Sequence, residues 1–419
     1  MHEFKYRGDE LFCEDVGIGG IAAAVGTPFY LYSYKTLIDH YRKLREAFAE
    51  LNPLICFSMK ANSNLAVITA LVKAGAGLDV VSGGELYKAL KVGCESKKIV
   101  YASVGKTERE IENAIRSGIL FFNVESLPEL AQINKTAKRL GRTVDCTLRA
   151  NPDIDPHTHK FITTGKAENK FGLDFRTVEE TFLNTPKYSN VRLRGIHIHI
   201  GSQITESEPF RKAINKTGTL IGDIRRKGGR VDWLNIGGGL GIIYNKEKPQ
   251  TAARFAKAVI PLVRKINVRL ILEPGRFIAG NSGILVAKVT YVKKTRLKNF
   301  IISDAAMNDL IRPSLYDAYH EIIPVIRRTA RKKILADVVG PICESGDILA
   351  RDRKLPEFQS GELIAVMGAG AYGFTMSSNY NSRPRVAEVM VIRGRFYVVR
   401  EREKYEDLVK GETIPKELK

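Results

Sequence analysis

The sequence predicts an α/β fold: a (β/α)8 TIM-like barrel over residues 34–280, plus a second, mostly-β barrel or sandwich domain made of 1–33 and 281–419. Three observations carry this. Short β-rich runs recur eight times between residues 54 and 273, helix-like segments separate them, and the alternation stops after Gly280. The runs are Leu54–Ser58, Leu78–Val81, Ile99–Ala102, Ile119–Val124, Val144–Arg149, Val191–Ile200, Trp233–Ile236 and Leu270–Glu273. Amphipathic stretches such as Asn64–Ala74, Gly84–Val92, Glu108–Arg116 and Leu127–Leu140 lie between them. Strands alternating with helices form βαβ units, whose crossovers make a parallel sheet. Eight units suit a closed barrel, which usually takes about 250 residues; a doubly wound open sheet is the structural alternative.

After Gly280 the strand-like runs Ile284–Val292, Phe300–Ser303, Leu363–Met367, Ala387–Ile392 and Arg395–Val399 are linked by turns rather than by regular helices. Arg393-Gly394 reads as a hairpin turn between the last two. A helical segment is expected at Tyr316–Tyr319, and the stretch up to Ser33 is expected to complete this domain.

Bulk properties bound the function. A chain of 419 residues is too long for one hydrophobic core. Its 44% apolar content is that of a globular protein. No run approaches the roughly 20 apolar residues that cross a bilayer, and Met1–Arg7 lacks a signal-peptide apolar region. The expectation is a soluble cytoplasmic protein with no membrane partner. The five cysteines, at 13, 56, 94, 146 and 343, are odd in number and widely spaced, which predicts reduced thiols and no metal site. The net charge of +20 raises a nucleic-acid reading. The densest basic clusters, Arg327-Arg328 with Arg331-Lys332-Lys333, and Lys293-Lys294 with Arg296 and Lys298, are short and carry little aromatic interleaving. No nucleic-acid-binding signature is present, so a solvated basic surface is the reading.

Barrel enzymes work at the carboxyl ends of their strands. Those ends carry Lys60, then Asp79 with Ser82–Glu85, Arg149, His199, Gly237–Gly239, and Glu273-Pro274-Gly275-Arg276. Unusual polar residues therefore collect where chemistry is expected. Taken alone, Lys60 reads as a surface lysine following a strand. A buried amine is expensive, however, and such lysines are used as Schiff-base formers with an aldehyde cofactor. Period-2 alternation places His197 and His199 on the face opposite Ile196, Ile198 and Ile200, and puts Lys60 on the face of Cys56 and Ser58. Both His199 and Lys60 are thus expected at the barrel mouth, with His197 one layer deeper as a hydrogen-bonded filler. The glycines after strand seven suit phosphate, since backbone amides there can approach an anion closely. Lysine and phosphate site together point to pyridoxal 5′-phosphate. Glu273 would then favour the protonated pyridine nitrogen, an electron sink suited to loss of carbon dioxide from an amino acid. Arg276 suits a carboxylate or the phosphate, and pairing of Arg276 with Glu273 across the turn is the structural alternative.

The motifs Phe57–Asn62, Asp79–Glu85, His197–Gln203, Asn235–Gly239, Glu273–Arg276, Asp304–Asn308, Arg312–Tyr316, Cys343–Asp347 and Gly370–Gly373 resemble those of the diaminopimelate decarboxylase family, within the alanine-racemase-like, fold-type III group of pyridoxal-phosphate enzymes. The resemblance covers nearly the whole chain. It implies that Lys60 anchors the cofactor covalently, that His199 stacks on its ring, and that Ser202 and Gly237, Gly238 and Gly239 contact its phosphate. Asp79, Glu273, Gly275, Arg276 and Tyr372 complete the implied cofactor set. Cys343 is the implied proton donor, a role that suits a thiol because it holds its proton at neutral pH; otherwise it would be an inert buried thiol, which its polar neighbours argue against. The implied substrate is meso-2,6-diaminopimelate and the product L-lysine. Its far end has an ammonium for Glu344 and a carboxylate for Arg276, Arg312, Tyr316 and Tyr372. The resemblance also implies a homodimer with shared active sites, Cys343 and Glu344 serving the neighbouring subunit's Lys60. Decarboxylases of ornithine, arginine or lysine on the same fold, an amino-acid racemase, and a non-catalytic pyridoxal-phosphate carrier are the rival readings.

Overall fold

Four strands form in the N-terminal stretch: β1 (Phe4–Arg7), β2 (Glu10–Cys13), β3 (Val16–Gly17) and β4 (Phe29–Ser33). The next eight are β5 (Leu54–Ser58), β6 (Gly77–Val80), β7 (Ile99–Tyr101), β8 (Phe121–Val124), β9 (Val144–Arg149), β10 (Val191–His197), β11 (Trp233–Asn235) and β12 (Arg269–Leu272). Every pairing among these eight is parallel, and β12 returns to β5. They close into a barrel, as the alternating pattern predicts. The computed structural model describes residues 2–155, 170–328 and 331–419. The chain divides into two compact units, Leu37–Ala279, which holds the barrel, and Met1–Thr36 with Gly280–Lys419.

The barrel's crossovers follow local chemistry. The helix Glu108–Ser117 starts at Thr107, whose hydroxyl accepts the Glu110 N–H at 3.3 Å while the Glu110 carboxylate accepts the Thr107 N–H at 2.9 Å. Such a capping box contributes about 1 kcal/mol. The bottom of the barrel is filled by Cys56, Val100, Phe121 and Ile271. Phe121 meets Trp233 edge-on at 5.5 Å. Above this apolar plug the inward side chains turn polar, which makes this end the reactive one.

The other unit is mostly β. Its remaining strands are β13 (Gly283–Lys294), β14 (Asn299–Ser303), β15 (Ile322–Pro324), β16 (Lys333–Val339), β17 (Ile348–Pro356), β18 (Leu363–Val366), β19 (Ala387–Ile392) and β20 (Arg395–Arg400). They form one sheet in the order β17-β16-β14-β13-β4-β19-β20, with β18 on β13 and β15 on β18. Strand β4 lies between β13 and β19, so the N-terminal stretch supplies an interior strand of this sheet. The hairpin at Arg393-Gly394 is present, both residues having positive φ. The expected helical segment at Tyr316–Tyr319 is corrected: the helix is Arg312–Tyr316, with Pro313 at its start, and Asp317 ends it with φ at 48°. No helix among the described residues is long and apolar enough to cross a membrane.

Candidate active site

Strand register brings a ring of polar side chains to one level of the barrel. Ser58 pairs with Asp79, Asn123 with Thr147, and His197 with Asn235. All are buried, as is Glu273 just beyond β12. Glu273 is the hub. Its Oε1 accepts from Asn123 Nδ2 at 3.0 Å and Asn235 Nδ2 at 2.5 Å, and its Oε2 lies 3.2 Å from His197 Nε2. Thr147 in turn donates to Asn123 Oδ1 at 2.7 Å, and the Gly237 N–H donates to Asn235 Oδ1 at 2.9 Å. Burial works against ionisation of Glu273, but His197 and Asn235 outweigh it and hold the carboxyl down to about 2. Pairing of Glu273 with Arg276 does not occur; Arg276 reaches Ser202 Oγ at 3.2 Å and Tyr244 OH at 2.7 Å instead.

Asp79 is the second buried carboxyl. Burial, and then the charge of Glu273, push it up to about 8 against the opposing pull of Lys60.

Lys60 and His199 require a correction. Period-2 parity does not extend to either, because β5 ends at Ser58 and β10 at His197. Lys60 sits in a single 3₁₀ turn, Met59–Ala61, and is exposed, whereas the strand beneath it is buried. It is not the desolvated lysine that the apolar run suggested. Its charge nonetheless acts on Asp79, Glu85, His199 and Glu273, so it stands over the polar ring. His199 is half-buried, and burial followed by the Lys60 and Arg149 charges drives it well below the usual imidazole range. Its Nδ1 accepts the Gly238 N–H at 3.3 Å, which fixes the neutral ring with its proton on Nε2.

The glycine turn is required by close approach. A Cβ on Gly238 would lie 2.3 Å from the Glu273 carbonyl oxygen. Gly237 has φ +67°, and a Cβ there would lie 2.5 Å from His199 Nδ1. Gly275 packs between Ala61 and Ser58, with the three atoms nearest a Cβ at 3.0–3.4 Å. The mouth is braced by two buried ion pairs, Lys106–Glu129 at 2.6 Å and Arg149–Glu125 at 2.7 Å.

The β unit gathers a second group. Asp347 accepts the Met307 N–H at 2.7 Å and the Ile342 N–H at 2.8 Å, which shapes the Ile342–Asp347 loop. Ser314 ties that loop to the helix Arg312–Tyr316 through the Gly346 carbonyl at 2.6 Å. Cys343 and Glu344 are exposed on the loop, and Tyr380 donates to Glu344 Oε2 at 2.8 Å. Arg312 is buried beside His320. Tyr372 belongs to the segment after β18 and adopts φ 57°. The structure thus places Lys60, Asp79, His199, Ser202, Gly237–Gly239, Glu273, Gly275 and Arg276 in the barrel unit, and Arg312, Tyr316, Cys343, Glu344 and Tyr372 in the β unit.

Sequence reasoning missed the hub's supports. Asn123 interrupts the apolar run Phe121-Phe122-Asn123-Val124, which is the available signal, whereas His197, expected as a hydrogen-bonded filler, faces Glu273 Oε2 at 3.2 Å. Tyr244, which holds Arg276, carries no sequence signal because it lies in a loop.

An amine at the barrel mouth, a side-chain-free turn of backbone amides and a buried ionised carboxylate below them fit an aldehyde-bearing phosphorylated pyridine. Residues 34–280 match the family model for the pyridoxal-dependent decarboxylase, pyridoxal binding domain, so fold and site define a pyridoxal-dependent decarboxylase with pyridoxal phosphate as cofactor. Diaminopimelate decarboxylase of Aquifex aeolicus is 48% identical over 406 residues, covering 97% of this chain and 96% of that protein. The crystal structure of diaminopimelate decarboxylase from M. jannaschii in complex with L-lysine has a TM-score of 0.95 at 36% identity and covers 100% of both chains. That from Helicobacter pylori with L-lysine has a TM-score of 0.90 at 39% identity, covering 94% of this chain and 98% of that one. The chain belongs to the diaminopimelate decarboxylase family.

Proposed function

We propose that this protein converts meso-2,6-diaminopimelate to L-lysine and carbon dioxide, the last step of lysine biosynthesis, as a cytoplasmic homodimer with shared active sites. The observation that carries this is near-full-length likeness to diaminopimelate decarboxylases, at up to 48% identity and with L-lysine in the relatives' structures.

Each residue's part follows from its chemistry. The Lys60 amine, exposed at the mouth, is the covalent anchor. Backbone amides of Gly237, Gly238 and Gly239 together with Ser202 hold the phosphate, and Arg276, steadied by Tyr244, adds positive charge there. Glu273, kept ionised by its donors, pairs with the ring nitrogen, and the neutral ring of His199 offers a flat face for stacking. When bound, pyridoxal phosphate supplies the electron sink for the pair released as the bond to the carboxylate breaks. Cys343 then delivers its Sγ proton to the carbon that carried the carboxylate. At the substrate's far end Glu344 binds the ammonium, and Arg312, Tyr316 and Tyr372 bind the carboxylate and its surroundings. In the dimer, Cys343 and Glu344 serve the other subunit's Lys60.

Two outcomes check this reading. The decarboxylation rate from diaminopimelate, as kcat/KM, should exceed that from ornithine, arginine or lysine by at least about 10²-fold, because those substrates leave a distal polar group of the site unpaired. Activity on ornithine alone would assign the chain to the rival decarboxylases. Glu273→Gln should retain the cofactor yet lose roughly 10²-fold in turnover, the scale of removing one preorganised charge. A near-normal rate would remove Glu273 from its electrostatic role.

A further inference from the structure

The polar ring of the barrel contains two carboxyl groups, Asp79 and Glu273, but donors for only one. Glu273 is met by two amide groups whose orientation is not ambiguous. The Gly237 N–H fixes Asn235 Oδ1, and the Thr147 hydroxyl engages Asn123 Oδ1, so both Nδ2 groups face the carboxylate. Two N–H donors on one carboxyl oxygen favour its ionised form.

Asp79 has no such company. It is fully buried, its Oδ1 has no hydrogen-bond partner among the described residues, and its Oδ2 lies 2.5 Å from Ser58 Oγ. The same Ser58 Oγ lies 3.3 Å from the Glu273 carbonyl oxygen. A hydroxyl has one proton. If Asp79 were ionised, Ser58 could satisfy either that charge or the carbonyl, and a buried anion would be left with at most one donor. A proton on Asp79 Oδ2 resolves this: Asp79 donates to Ser58, and Ser58 donates to the Glu273 carbonyl. Buried polar groups are overwhelmingly found satisfied in this way.

We propose that Asp79 stands as a neutral carboxylic acid in the working enzyme, leaving Glu273 as the one ionised carboxylate of the polar ring. This rests on the pyridoxal-dependent reading of the site and not on the choice of substrate. The other charged or titratable groups that act on Asp79 are Lys60 above it, Glu85 from the helix Gly83–Lys91, and the Cys56 thiol on its neighbouring strand. The direction of its titration agrees with the geometry: burial and the Glu273 charge both favour the protonated form, which persists to about pH 8.

Asp79 is therefore a positioning residue that acts through Lys60. An anion beneath Lys60 would favour the ammonium form, which has no lone pair to attack an aldehyde; a neutral acid leaves the amine free to react. The linkage has a definite sign. With its folded value above its unfolded one, the contribution of Asp79 to stability is complete below about pH 4 and is lost as pH rises through about 8.

Infrared difference spectra of the full-length, cofactor-loaded protein test this. Asp309 in the β unit is likewise pushed up, to about 7, by burial, so the spectrum must be taken against Asp79→Asn. At pH 7 the difference should contain the C=O band of a protonated carboxyl, which disappears as pH rises through about 8. In the variant, the high-pH change in the absorption of the lysine-bound cofactor that follows this titration should be absent. A difference spectrum at pH 7 showing only carboxylate bands would overturn the proposal. If Asp79→Asn does not fold, Ser58→Ala decides: loss of the acceptor should shift the protonated-carboxyl band, and an unshifted band counts against the arrangement.

Discussion

Lys60→Ala abolishes the visible absorption of the lysine-bound cofactor and lowers turnover by roughly 10⁴-fold or more, the scale seen when a covalent catalytic group is lost. The loss is not a folding effect. Lys60 is exposed in a 3₁₀ turn, so truncating its side chain opens no cavity in the core. The glycine turn, Ser202 and Arg276 remain, so the variant still binds pyridoxal phosphate, now reversibly. Borohydride reduction of the wild-type protein followed by peptide mass analysis should place the adduct on Lys60. Unchanged absorption in the variant, or an adduct on another lysine, would move the anchor elsewhere.

Cys343→Ala leaves the cofactor spectrum intact and lowers lysine formation by roughly 10²–10⁴-fold, the range for removal of a positioned proton donor. Cys343 is exposed on a loop whose shape comes from Asp347 and Ser314 and not from the thiol. Its own backbone N–H is held by Asn381 Oδ1 at 2.9 Å, a bond that alanine keeps. The variant should therefore fold normally and fail at protonation, so its residual product should incorporate solvent hydrogen with weaker stereochemical control. A rate within a few-fold of wild type would take Cys343 out of the mechanism.

The barrel was legible because strand and helix periods differ and alternate eight times. What escaped lies where those periods end. Parity carries as far as Ser58 and no further, because β5 stops two residues before Lys60 and a 3₁₀ turn follows. In the β unit, Lys333–Val339 and Ile348–Pro356 were not recognised as strands. β17 carries the charged run Arg351–Lys354 through its middle and lacks the apolar density of the barrel strands, whereas β16 is mostly apolar and nothing in its composition hides it. The placement of Phe29–Ser33 between β13 and β19 depends on pairings more than 250 residues apart, which no local pattern encodes. The chemistry was read from the strand ends, but the supports of Glu273 were not. Asn123 meets it across 150 residues of sequence, and an asparagine in a strand reveals its partner only once the barrel closes.

The most direct measurement of the account is lysine formation from diaminopimelate by a mixture of the Lys60→Ala and Cys343→Ala proteins, each inactive alone. Random exchange between two-fold symmetric dimers makes half of them mixed, and each mixed dimer regains one of its two sites. The account predicts recovery of about a quarter of wild-type activity, with L-lysine and carbon dioxide as products. No lysine after confirmed subunit exchange would contradict a site shared between Lys60 of one subunit and Cys343 of the other.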